Sequence, residues 1–267
     1  MKEQLVVASL QMEQQQKDID ANITKVRQLV VGQAFDLLVL PEMWTTGFLV
    51  KVADLSREFL TEAFERGLET MKALATANDA ALYGTLLELR PSGKPSNTGL
   101  FVTPTGEVTY YRKKHLFHLG GESEHFEAGE ERVQVSYQGW QIRLSTCYDL
   151  RFPTWLRQDP ELGLYDLLLC SANWPRPRHL AWERLLRARA IENQSYLVAS
   201  NRAGTPHPQL VDPGYSFILD SEGESLSESK EPVETLLTAT LSRPDLMARR
   251  SAFPVLEDLD PFQLLPR

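Results

Sequence analysis

Short apolar runs alternate along this chain with stretches of helical spacing. Residues 5–10 form a mostly apolar run that turns polar at once, which predicts a buried strand. Ile23, Val26 and Val30 recur at i, i+3 and i+7, so 18–34 reads as a helix. The run DLLVL at 36–40 is a second buried strand, stopped by Pro41. Leu60, Phe64, Leu68, Met71 and Leu74 make one apolar stripe and predict an amphipathic helix over 56–78. Strands follow at 81–89, 98–103 and 107–111. The first two are separated by the turn PSGKPSN (91–97) and the last two by Pro104-Thr105-Gly106. Residues 132–137 and 140–146 flank Gln138-Gly139 as a further hairpin. A strand at 166–170, a helix at 177–194 with Trp182, Leu185 and Leu186 inward, and a strand at 196–200 restore the βα order. Strands at 215–220 and 235–241 flank the turn Ser221-Glu222-Gly223 and precede a short helix and polar tail. Strands in both βα order and hairpins imply a mixed α/β sheet system rather than a purely parallel one. With no repeat or linker, the simplest organisation is one domain over 1–267. Its core spans about 4–241, and a C-terminal helix and tail occupy 242–267.

At 267 residues the chain can bury a core without a disulfide or metal staple. Its formal net charge of -8 lacks the basic footprint of a nucleic-acid or anionic-membrane binder, so neither partner is expected. Two cysteines, Cys147 and Cys170, make no disulfide framework and point to a reducing cytoplasm. The opening apolar run is short and soon polar, unlike a signal peptide. No run approaches the roughly 18 apolar residues of a membrane span.

Three residues stand where chemistry is easily placed. Cys147, in STCYDLRFP, directly follows an apolar strand and precedes Pro153, a natural first helical residue. A thiol on such a strand-to-helix turn leaves the sheet edge among backbone N–H groups, which can bind an oxyanion, and a nearby helix start lowers its pKa. The plainer alternative is a buried, inert cysteine, and Cys170 inside DLLLCSA is read that way. Glu42, in LPEMW, follows a buried strand by two residues among apolar neighbours, and desolvation would raise its pKa into an acid/base range. Taken alone it reads first as an exposed loop glutamate. Lys113, in YRKKHLF, follows a hairpin strand, and taken alone with Arg112, Lys114 and His115 it reads first as a solvated basic patch.

His115, His118 and His125 lie close together, but spacings of three and seven match no standard metal site, so no metal is expected. There is no dinucleotide-binding glycine fingerprint, P-loop or G-x-S-x-G, and no cofactor is expected. A papain-type Cys–His pair lacks a clear partner, since only His179 and His207 follow Cys147.

In combination these segments form a pattern. PEMWTTGF, YRKKHLF and STCYDLRFP, in that order and followed by SANWPRPR and WERLLRARAIENQSYLVASNRAG, resemble the motifs of the nitrilase superfamily over about residues 5–220. The aromatic-TTGF and CYDLRFP details are most similar to its bacterial omega-amidase branch. The resemblance implies a four-layer α-β-β-α sandwich with two mixed six-stranded sheets, and subunits that pair as a homodimer through a helical face. It assigns the nucleophile to Cys147, the acid/base to Glu42 and the oxyanion-stabilising lysine to Lys113. A second glutamate that positions the lysine is Glu122 by position, with Glu124 two residues on. The implied substrate is a small-molecule amide, the terminal amide of a 2-oxo dicarboxylic acid such as 2-oxoglutaramate or 2-oxosuccinamate. The alternatives are an N-carbamoyl hydrolase or an amidase acting on deaminated glutathione. The Pro-rich TPHPQLVDPGYS departs from the family pattern.

In the implied chemistry the backbone N–H of Tyr148 joins Lys113 in holding the oxyanion. Arg151 and Arg176 are candidate grips for the substrate carboxylate, or else structural partners of Asp149 or Asp166. Trp44, Phe117, Tyr148 and Trp174, with Asn173, are candidate pocket walls, or else core.

Overall fold

The computed structural model describes residues 2–50, 52, 55–204 and 214–265. The first part of the chain runs β1 (Gln4–Gln11), α1 (Ile19–Val30), β2 (Leu37–Val39), α2 (Arg57–Asn78), β3 (Ala81–Leu89), β4 (Pro95–Val102) and β5 (Val108–Arg112). After a short α3 (Glu122–His125) come β6 (Gln134–Tyr137), β7 (Trp140–Thr146), α4 (Pro153–Leu156), β8 (Leu167–Ser171), α5 (His179–Glu192) and β9 (Tyr196–Ser200). The chain closes with β10 (Ser216–Leu219), β11 (Ser225–Ser229), β12 (Thr235–Ser242) and α6 (Arg243–Ala252).

Two six-stranded mixed sheets result, ordered β12-β1-β2-β3-β4-β5 and β11-β10-β9-β8-β7-β6. Each is centred on three parallel strands, β1-β2-β3 in one and β7-β8-β9 in the other. The DLLVL run shows why a sandwich forms. Leu37 and Val39 join the core between the sheets, while Leu38 and Leu40 join the core under α1 and α2. A strand buried on both faces must be apolar throughout. Helices α1 and α2 cover the first sheet, and α5 and α6 lie along the second, completing four layers.

Asp18 and Ser56 cap α1 and α2 by accepting from Ala21 N and Phe59 N. The stripe on α2 is rotated from the predicted one. Leu60, Ala63, Gly67, Met71 and Ala75 are buried, while Phe64, Leu68 and Leu74 are half-buried. Gly67 sets this rotation, since a Cβ there would lie 2.7 Å from a Leu86 methyl group on β3.

Two predicted boundaries differ for physical reasons. The turn after β3 is shorter than PSGKPSN. Gly93 turns at φ +87, and Pro95 already pairs with Leu89. A proline is tolerated at a strand's first residue, where its missing N–H is not needed. Residues 235–241 do not pair across Ser221-Glu222-Gly223. That turn leads into β11, and β12 crosses to pair with β1 in the other sheet. The polar edge strand SLSES, exposed along much of its length, carries no apolar alternation to announce it.

Candidate active site

The strand order brings several carboxyl ends to one place. Glu42 stands just past β2, Lys113 directly after β5, Cys147 directly after β7 and Asn173 just past β8. The two sheets are joined there, with Glu42 N donating to Ala172 O at 3.1 Å and Ser171 Oγ to Leu40 O at 2.8 Å.

Glu42, Lys113 and Glu122 are fully buried and hydrogen-bonded to one another. Lys113 Nζ donates to Glu42 Oε1 at 2.8 Å and to both Glu122 oxygens at 2.9 and 2.8 Å. Asn173 N donates to Glu42 Oε2 at 2.8 Å, and Phe117 N to Glu122 Oε2 at 2.6 Å. Cys147 lies close enough to Glu42 and Lys113 for both to act on its thiol electrostatically. Glu122, not the exposed Glu124, is the second glutamate in contact with the lysine. Of the sequence-predicted residues, the structure therefore brings Glu42, Lys113, Glu122 and Cys147 into one cluster.

Cys147 adopts φ +44, a conformation rare outside glycine. The short turn it begins is closed by Thr146 and Asp149, and Arg189 of α5 donates to Leu150 O at 3.1 and 2.9 Å. Elevation of the thiol on this elbow points it into a cavity of about 660 Å³.

Burial raises the Glu42 carboxyl above its ordinary value; Lys113 opposes this and Glu122 adds to it. Burial works against the Lys113 ammonium, but Glu122, Glu42 and Cys147 outweigh it and hold its pKa well above the ordinary value. Burial, with Glu42 beside it, pushes the Cys147 thiol well above 9.0, against the pull of Lys113. The lowered thiol pKa expected from the nearby helix start is reversed by desolvation. Burial therefore favours the neutral thiol, with the Glu42 carboxyl beside it. Alkylation of Cys147 by iodoacetamide should accordingly keep accelerating with pH through pH 9. A plateau below pH 8 would contradict the neutral thiol.

Among the described residues the cavity wall includes Phe117, Tyr148, Arg151, Asn173 and Trp174, all named from sequence. Arg151 lies over the Trp174 ring at 4.8 Å. Trp44 is instead fully buried in the core beneath α2, and Arg176 is exposed outside the wall described. Asp149 takes Tyr111, His115 and Thr146. Asp166 takes Arg250 and Arg243. His115 and His118 turn to Asp149 and Ser123, and His179 to Arg176 O. His207 and most of TPHPQLVDPGYS lie outside the described residues.

Sequence reading missed Asn97, Arg178 and Arg202. Asn97 Nδ2 donates to Glu42 Oε1 at 2.7 Å and reaches Glu122 Oε1 at 3.4 Å. Arg178 stacks over Phe117 at 5.5 Å, and buried Arg202 lines the cavity. Arg202 had a usable signal, two residues past a buried strand at a sheet's carboxyl edge.

The carbon–nitrogen hydrolase family model matches residues 6–251. This chain belongs to the carbon–nitrogen hydrolase family. It is 39% identical over 249 residues to omega-amidase YafV of Yersinia enterocolitica, covering 93% of this chain and 94% of that one. It is 33% identical to the 2-oxoglutaramate amidase of Bacillus subtilis, covering 84% and 85%. A CN-hydrolase superfamily protein from Xanthomonas campestris, crystallised with an arsenic adduct in its active site, superposes with a TM-score of 0.89. It is 33% identical and covers 98% of this chain and 100% of that one. Membership makes this carbon–nitrogen hydrolase an enzyme acting on C–N amide bonds, on the two-sheet scaffold just described.

Proposed function

We propose that this hydrolase cleaves the terminal amide of a small 2-oxo dicarboxylic acid monoamide, such as 2-oxoglutaramate, to the acid and ammonia. The reading is carried by the buried Glu42–Lys113–Glu122 cluster with Cys147 at the cavity floor. The omega-amidase and 2-oxoglutaramate amidase relatives support the substrate class.

Glu42 takes the thiol proton as Cys147 Sγ bonds to the amide carbon. Lys113 Nζ and the Tyr148 backbone N–H hold the resulting oxyanion, whose charge is worth most to stabilise in a dry site. Glu42 hands its proton to the amide nitrogen, the C–N bond breaks, and ammonia leaves a thioester on Cys147. Glu42 then takes a proton from water, whose oxygen attacks the same carbon. The C–S bond breaks, the sulfur recovers the proton, and the acid departs. Glu122 keeps the lysine aligned. Phe117, Tyr148 and Trp174 wall the substrate, and Asn173 fixes Glu42 from below. Arg151, with Arg178 and Arg202 on the same cavity, supplies the positive field for the remote carboxylate. The protein is taken to work in the cytoplasm as one domain and as a homodimer, a state that sedimentation would check.

Ammonia release across a panel tests this reading. 2-Oxoglutaramate should exceed N-carbamoyl amino acids, deaminated glutathione, aliphatic amides and nitriles in kcat/KM. Arg151→Met should raise KM for the 2-oxo acid amide about 10-fold or more, the scale of a lost charge-assisted hydrogen bond. Arg176→Met should leave it unchanged. Preference for a substrate without a carboxylate would overturn the assignment.

A further inference from the structure

Asp149 is fully buried and accepts four hydrogen bonds, more than a turn-closing residue needs. Thr146 N donates to Oδ2 at 3.1 Å, which closes the elbow that begins at Cys147. The other three donors come from the segment that carries Lys113. Tyr111 OH donates to Oδ2 at 2.6 Å, and His115 donates to Oδ1 from its backbone N and from Nδ1, each at 2.9 Å. With Asp149 accepting from Tyr111 and two backbone N–H groups, His115 Nδ1 is assigned as the donor of the fourth bond. The His115 ring is held in place by stacking on Phe152, with centroids 3.7 Å apart and planes 9° from parallel. Tyr111 is further steadied by Trp155 Nε1 at 3.0 Å.

We infer that Asp149 and His115 are positioning residues that lock the Lys113 segment onto the Cys147 elbow, fixing ammonium against thiol. The geometry requires some such device. Cys147 follows β7 of one sheet and Lys113 follows β5 of the other, so the two are far apart along the chain. Cys147 also holds a rare positive φ, which persists only where surrounding contacts over-determine it. Asp149 lies two residues past the thiol, and His115 lies two past the ammonium. A single carboxylate thus registers both reacting segments. Errors in such alignment act on turnover more than on ground-state binding.

This inference rests on the proposed amidase reading, and its test separates the two. The two variants His115→Asn and His115→Gln differ in where they place a side-chain donor. Asparagine holds its amide near the Nδ1 position, whereas glutamine carries it one carbon further. Per folded protein, judged by near-UV circular dichroism, His115→Gln should lose roughly 10- to 100-fold in kcat with KM nearly unchanged. His115→Asn should recover most of that loss. The rate of Cys147 alkylation by iodoacetamide at pH 8 should fall severalfold in His115→Gln and return in His115→Asn. Alkylation needs no substrate, so it tests the clamp even if 2-oxoglutaramate proves not to be hydrolysed. Equal kcat and alkylation rates in both variants and wild type would overturn the inference, as would a loss confined to KM. If neither variant folds, Tyr111→Phe, which removes one hydroxyl, should still lower kcat at constant KM; an unchanged kcat would overturn it.

Discussion

Replacing Cys147 by alanine is expected to lower turnover by at least about three orders of magnitude while leaving the fold intact. Among the described residues on the cavity wall, no serine, threonine or second thiol stands ready to substitute. The nearby hydroxyls of Ser145 and Ser171 are spent on Leu169 O and Leu40 O, and Cys170 is fully buried with its pKa pushed up to about 12. Alanine carries the same Cβ as cysteine, so the strained φ of +44 costs it no more. The variant loses only one sulfur atom, too little to unfold a chain of this size. Ammonia release above about 1% of wild type, in a variant with native circular dichroism, would rule this thiol out as nucleophile.

Lys113→Met is expected to damage both stability and rate. Lys113 is buried between two buried carboxylates and is the ammonium that both contact. Removing one partner of a buried ion pair typically costs about 3–5 kcal/mol, because the remaining charge is stranded. For a domain of this size that corresponds to a fall in Tm of roughly 10 °C. The pH dependence has a definite sign. Burial already raises Glu42 above 4.5, and Lys113 is what restrains it. Without the lysine, the folded state holds a proton more tightly than the unfolded state does. Stability relative to wild type is then best near pH 4–5 and declines as pH rises through the raised folded value. Thermal melts from pH 5 to 8 should show the gap widening. A constant gap would mean that the carboxylates are not stranded. Loss of the oxyanion partner should add roughly 100-fold or more in kcat.

The strand-end positions made the reacting groups candidates, and the combined motifs singled them out. Glu42 and Cys147 follow buried, largely apolar strands, while Lys113 follows the half-buried hairpin strand VTYYR. The two-sheet architecture was legible only through the motif resemblance, since periodicity alone gave a mixed sheet system. What escaped has local causes. Asn97 lies in PSGKPSN, a stretch whose turn chemistry masks the strand that Pro95 begins. β11 is polar because it is an exposed edge. Trp44 and Arg176 looked like pocket residues by their place in the chain. The positive φ at Met43, just after Glu42, and the short turn at 176–178 send them elsewhere. Arg178, two residues along in the same RPR, reaches the cavity instead.

The most direct test is acid quenching during turnover of 2-oxoglutaramate, followed by peptide mass spectrometry. The acyl group of the substrate, minus ammonia, should be found as a thioester on the peptide bearing Cys147, and should be absent in Cys147→Ala. An acyl adduct on Cys170, or on any residue outside the cavity, would contradict the chemistry placed at this site.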